Sequence, residues 1–258
     1  MRSILLTFLF CLSLSSIGFT DEEASNRTYV KSSEYGQFYV KSIPAESYGL
    51  AGKTLVYWVK DEQDQLLFTY DWYSPELYIY GFAPGSPVYV VKFGPWYRGH
   101  LANHNDLAVV FYKNDQLLKE YSTLDIVKDE TNVSASVSHY TIFKKKIGFR
   151  RPWGNQIIFD VQILDDKILS FNADTGELIS QEEEVLGKRF YDIQTKISQI
   201  KWQWYGQNKE MMENINDYNI TEEDLKKIDP DNYPMPPEGY KIIPNKMWKM
   251  ADIIKVEP

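Results

Sequence analysis

The chain has 258 residues, 43 % hydrophobic, 15 % aromatic and 25 % charged, a globular composition that excludes a disordered or fibrous polymer. Its 28 basic against 36 acidic residues give a formal charge of −8, which disfavours nonspecific binding to nucleic acid or to an anionic membrane. The single cysteine, Cys11, has no second cysteine to pair with, so the chain has no internal disulfide. Stability has to come from a packed core or from a partner.

Residues 1–20 read as a secretory signal peptide: Arg2 supplies a positive start, residues 4–14 (ILLTFLFCLSL) an apolar core, and Ser16-Ile17-Gly18 small residues at the positions a signal peptidase inspects. The apolar run is shorter than the roughly 18 to 20 residues that cross a bilayer, and no later run is as apolar, so no transmembrane segment is expected after processing. Removing residues 1–20 takes away one basic residue and no acid, leaving 27 against 36, that is −9. The chain is then expected to work outside the cytoplasm, secreted or periplasmic.

Residues 21–34 read as a linker and 35–181 as a β-rich domain. QFYVKSI (37–43), TLVYWVK (54–60), QLLFTYDWY (65–73), ELYIYG (76–81) and VYVVKF (88–93) are rich in Tyr, Val, Phe and Ile, and turn-forming residues separate them. LAVVFYK (107–113) meets QLLKEYS across Asn114-Asp115, and VSHYTIF, NQIIFDVQI and KILSFN continue the series to about residue 172. Two phrases in it nearly coincide: DQLLFTY (64–70) and DQLLKEY (115–121), each preceded by an apolar strand ending in lysine and a polar turn. A weaker third copy, ILSFNADTGELIS (168–180), aligns Leu178 with Leu66 and Leu117. Recurrence at this spacing resembles the hairpin units of blade-like β folds, each of which hides one face against the next. Three units fall short of a closed propeller, so the expectation is a mainly β fold of repeated antiparallel hairpins: an incomplete propeller, a sandwich or a barrel.

Residues 182–258 read as a helical and extended C-terminal segment. Leu186, Phe190, Ile193, Ile197, Ile200 and Trp204 recur at spacings of four and three, the stripe of an amphipathic helix. A strand phase through Tyr191, Ile193, Thr195 and Ile197 competes with it and breaks at Ser198-Gln199. Thr221 with the acids 222–224 marks a second helix start, which Asp229-Pro230 ends. A Pro-rich connector follows, then a last segment in which Trp248, Met250 and Ile253 need cover.

No nucleophile elbow, zinc helix, dinucleotide fingerprint or phosphate loop is present, so no cofactor is expected. The best binding candidate is the stretch Trp96-Tyr97-Arg98 between Gly94 and Gly99, where aromatic faces and a guanidinium stand at a strand end, with Asp71-Trp72-Tyr73 ending another strand. Such groups suit a sugar ring or a protein segment. His100, His104, Asp106 and His139 are a chemically adequate set for zinc or copper. Asp71, Asp106 and Asp125, each near a strand end, are candidates for the carboxylate pair of a glycan hydrolase. KKKIGFRRPW (144–153) reads as a hairpin bent at Gly148 with a solvated basic face. Asn26, Asn132 and Asn219 stand in glycosylation sequons. The expectation is a non-catalytic module recognising a glycan or protein partner through the aromatic loops; an envelope hydrolase and a metal-binding protein are the alternatives.

Overall fold

The computed structural model describes residues 22–151, 156–208, 220–245 and 251–256. The segment 1–20 expected to be a signal peptide, Trp153, Asn219, Trp248 and Met250 lie outside the described residues. Among the described residues the fold is mainly β, with 38 % strand and 19 % helix in antiparallel sheets of two to four strands and no closed barrel. No described helix is long and apolar enough to cross a membrane. Contacts divide the chain into two compact units, residues up to Val110 with Glu120–Ile142, and Phe111–Lys119 with the residues from Phe143 onward.

In the first unit, β1 (Tyr29–Ser32), β2 (Phe38–Pro44), β3 (Gly52–Trp58) and β4 (Gln65–Tyr70) form an antiparallel meander in chain order. The period of two is plain in β2, where Phe38, Val40 and Ser42 are buried and the residues between them are not. Ser42 belongs inside because its hydroxyl meets that of Thr54 at 3.1 Å, and Thr54 in turn donates to the Trp72 carbonyl at 2.9 Å. A second sheet runs β5 (Leu77–Tyr80), β6 (Tyr89–Phe93), β8 (Leu107–Lys113), β9 (Gln116–Ser122), and a small third one joins β10 (Ser134–Ala135), β11 (His139–Thr141) and β7 (Tyr97–Arg98). A helical turn, α1 (Thr123–Val127), starts at Ser122 through a reciprocal Ser122/Asp125 cap.

The two DQLL phrases occupy equivalent places. Leu66 in β4 and Leu117 in β9 each lie on the second strand of a hairpin, and each is about half exposed, at 48 % and 52 %. Leu178 follows β14 (Ile168–Asn172) and bridges back to Phe171.

In the second unit β14 pairs with β13 (Ile158–Ile163), and β13 with β12 (Phe143–Arg150). The stretch 144–151 is therefore no hairpin. Gly148, at φ +109°, pairs with Asp160 within one continuous strand, and the bulge falls at Ile147, between Lys146 opposite Val161 and Gly148 opposite Asp160, so the chain is not reversed there. Phe111, Phe159 and Phe171 are buried together, Phe111 meeting Phe159 edge-on and Phe171 at a tilt. Helix α2 (Gln181–Asn208) takes the helical phase: Ile193, Ile197, Ile200 and Trp204 are buried against Ile220, Leu225 of α3 (Glu222–Ile228), Ile242 of β15 (Tyr240–Ile243) and Ala251, just before β16 (Asp252–Lys255). It starts on a Ser180/Glu183 capping box, and α3 on a Thr221/Asp224 one.

One charge lies inside that cluster. Lys201 is 1 % exposed and donates to the Pro244 carbonyl, and burial pushes its pKa down to about 8 against a nearby Asp252 that favours the charge. A base with a depressed pKa in the fold binds fewer protons there than in the unfolded chain between pH 8 and 10.5, so stability rises with pH across that window. The difference in unfolding free energy between wild type and Lys201→Met is expected to change by on the order of 2 kcal/mol from pH 7.5 to 10. Urea titrations at a series of pH values measure it; a pH-independent difference would show that Lys201 titrates normally. Taking the difference cancels the buried tyrosines.

Candidate functional site

The Trp96 loop is set by its first residue. Gly94 continues from β6, and its N–H donates to the Ala108 carbonyl at 3.1 Å. A Cβ at Gly94 would lie 1.7 Å from the Leu107 carbonyl oxygen, so the two backbones can pass only because this residue has no side chain. Beyond it the chain pairs as β7 with β11, Tyr97 opposite Tyr140 and Arg98 opposite His139.

That pairing separates the three expected ligand-binding residues, because neighbours on a strand face opposite ways. Tyr97 points inward, 8 % exposed, stacked on Tyr140 at 5.3 Å with its hydroxyl on the Ala108 carbonyl. Burial drives its pKa upward, so it stays a neutral core group. Trp96 and Arg98 point the other way. They line a cleft of about 370 Å³ together with Glu22, Glu23, Tyr48 and Ser138. The Trp96 indole stacks on the His139 imidazole with 3.7 Å between centroids, and the imidazole is held by a 2.6 Å hydrogen bond between Nδ1 and the Ser136 hydroxyl. Arg98 Nη2 donates to Glu23 Oε2 at 2.7 Å; the guanidinium side chain is 75 % exposed and the carboxylate side chain only 17 %.

Asp71, Trp72 and Tyr73 are not among the described residues that line this cleft. Asp71 is exposed, Trp72 is half-buried and stacked on Tyr70 with the Lys92 ammonium 4.8 Å from its ring centre, and Tyr73 is 2 % exposed. The Tyr73 hydroxyl donates to the Arg27 carbonyl at 3.2 Å, and its ring meets Tyr29 edge-on. Asn26 adds bonds from its side-chain amide to the Gly49 carbonyl, 2.9 Å, and from its backbone N–H to the Ser47 carbonyl, 2.7 Å. Residues 26–29 are thereby fixed, and the chain just before them delivers Glu22 and Glu23 to the cleft. Tyr73 is thus a positioning residue for the segment that carries them.

The metal candidates are not gathered at one point. His100 Nε2 lies 3.3 Å from the Val137 carbonyl, His104 Nδ1 is 3.3 Å from the Ser122 hydroxyl and 3.7 Å from Asp125, and His139 is held as described. Asp106 accepts from the Tyr140 hydroxyl at 2.5 Å and from the Asn103 amide at 2.7 Å. Among the described residues no three of His, Cys, Asp and Glu cluster as metal ligands.

Ser122, His104 and Asp125 do come together, but in the wrong order for nucleophilic chemistry. A triad needs the imidazole between hydroxyl and carboxylate. Here the Ser122 hydroxyl donates straight to Asp125 at 2.7 Å and accepts the Asp125 N–H at 3.1 Å, as a helix cap does. These bonds from Ser122 hold the Asp125 carboxyl below its ordinary range, so it stays ionised and serves poorly as a general acid.

Glu22, Glu23, Tyr48 and Ser138 were not legible as site residues. They come from the start of the described chain, the β2–β3 connection and the residue just before β11, and no local pattern marks them. Compared with family models, with curated proteins and with solved structures, the chain matches none of them.

Proposed function

We propose that this is an exported, non-catalytic binding module whose ligand, a glycan or a segment of a partner protein, enters the cleft at Trp96 and Arg98. The observation that carries the reading is the composition of that cleft: an aromatic face, a guanidinium, two carboxylates, a phenol and a hydroxyl around about 370 Å³, within the range of small-ligand sites. Flat aromatic surface and planar polar groups are what a sugar ring or a peptide can stack on and hydrogen-bond to. Export rests on the pattern of residues 1–20, and N-terminal sequencing of native protein tests it, with a start near Phe19 or Asp21 expected and an intact Met1 on cytoplasmic protein contradicting it.

Calorimetry against a saccharide and peptide panel tests the binding itself. Trp96→Ala removes the aromatic wall and is expected to weaken whatever binds by about tenfold or more, on the scale of an aromatic contact worth 1 to 2 kcal/mol. His104→Ala, at the helix cap, is expected to leave it unchanged. Equal binding by wild type and Trp96→Ala would mean that this cleft is not the site.

A further inference from the structure

Glu23 stands in the cleft as a ligand would. Its carboxylate is largely withdrawn from water while the guanidinium it meets is largely exposed, and the contact uses one guanidinium nitrogen out of the planar fork that a carboxylate can grip at two points. The segment that brings it is tied down separately, by Asn26 and Tyr73, so the Arg98 contact is not needed to hold the chain in place. We propose that the ligand of this cleft is a uronate, a sugar ring bearing a carboxylate, and that Glu23 is a built-in competitor for its anchor on Arg98.

The proposal rests on the cleft being the binding site, and it adds the chemical class. The ring takes the wall made by Trp96 and Tyr48, the carboxylate takes Arg98 in place of Glu23, and Ser138 lies within the same lining for a ring hydroxyl. A saccharide fits better than a peptide strand. β7 and β10 have two residues each, too short to template strand addition, and the cleft offers aromatic and polar walls rather than a row of apolar side-chain pockets. The acidic balance of the chain repels a dense polyanion, so recognition is of single carboxylates on a glycan.

Charge arithmetic makes the sign testable. The cleft lining carries Glu22 and Glu23 against Arg98, so Glu23→Gln removes its excess negative charge. Calorimetry with digalacturonate, the neutral disaccharide of the same linkage and a capped triglutamate peptide is run on wild type, Glu23→Gln, Arg98→Met, Arg98→Lys and Trp96→Ala. For digalacturonate, Glu23→Gln is expected to tighten binding about fivefold. Arg98→Met weakens it about tenfold or more, and Arg98→Lys, which keeps the charge and loses the fork, falls between. Raised salt weakens the uronate and not the neutral sugar. If the neutral disaccharide binds as well as the uronate, with Trp96→Ala weakening both and the Arg98 and Glu23 variants changing neither, the uronate proposal is overturned and the cleft stands. Tighter binding of triglutamate than of digalacturonate overturns the saccharide class. If none of the three probes binds, the proposal and the cleft reading fall together.

Discussion

Gly94→Ala is expected to cost more than about 4 kcal/mol, or to prevent the protein from folding, since a backbone-level clash in a core is among the few single changes that large. The added methyl would stand 1.7 Å from the Leu107 carbonyl oxygen and 2.8 Å from the carbonyl carbon, and neither atom can rotate away as a side chain does. Relief requires β6 and β8 to separate at their ends. That separation breaks the Gly94 to Ala108 hydrogen bond and opens the core beside the buried Val109 and Val110. Urea unfolding followed by circular dichroism measures the loss. Gly99→Ala supplies the contrast: its φ of +103° strains a side chain, but nothing lies within 4 Å of the added carbon, so only about 1 kcal/mol is expected. Similar costs for the two substitutions would mean that the Gly94 and Leu107 backbones lie farther apart and leave room for a methyl group.

Because Gly94 also launches the chain toward Trp96, the same clash shifts the cleft wall. A partly folded Gly94→Ala protein is therefore expected to bind any cleft ligand more weakly, whereas Gly99→Ala alters only the far side of β7.

Local pattern was enough for the strands whose neighbours in sequence dictate them. LAVVFYK and QLLKEYS coincide with β8 and β9 because an apolar alternating run, a two-residue Asn-Asp turn with Asn114 at φ +56°, and a second run leave little choice. The α2 stripe was legible for the same reason: its phase passes through Ser198-Gln199 without a break, as the burial of Ile193, Ile197 and Ile200 requires. β1 was not, since three of its four residues are exposed and only the ladder to β2 makes it a strand. Gly148 carried a turn signal that tertiary pairing overrode. At the candidate site, sequence singled out the loop that lines the cleft, but Trp96, Tyr97 and Arg98 cannot share one surface once the loop pairs as β7. Period two sends Tyr97 to the core. Glu22, Glu23 and Tyr48 reach the cleft through contacts with no local trace, above all the Tyr73 and Asn26 bonds that fix residues 26–29.

Arg150 is the other residue whose meaning changed, and its removal is expected to destabilise the second unit by about 4 kcal/mol, in the range for breaking a buried ion pair from one side. In sequence it belonged to a basic run expected to be solvated. In the fold it reaches from β12 to Asp160 on the central strand β13, which is 5 % exposed, with Nε on one carboxylate oxygen and Nη2 at 3.4 Å from the other. The same Nη2 donates to the Ser170 hydroxyl of β14 at 3.2 Å and to Glu184 in the first turn of α2 at 2.9 Å. One guanidinium thus ties three strands and the start of the long helix around a carboxylate that has little access to water. Arg150→Met keeps most of the apolar stem and leaves Asp160 ionised without its countercharge, so the cost is chiefly desolvation that nothing offsets. Lysine is a poor replacement, because a point charge cannot satisfy Asp160, Ser170 and Glu184 in the geometry of a planar fork. The double change Arg150→Met with Asp160→Leu removes the stranded charge and is expected to recover at least half of the loss, since swapping a buried pair for apolar groups is often close to neutral. Urea unfolding of the three proteins, read at a helical wavelength, decides between this account and a merely solvated arginine. A loss below about 1 kcal/mol for Arg150→Met, the level of a surface ion pair, would place the guanidinium in solvent after all.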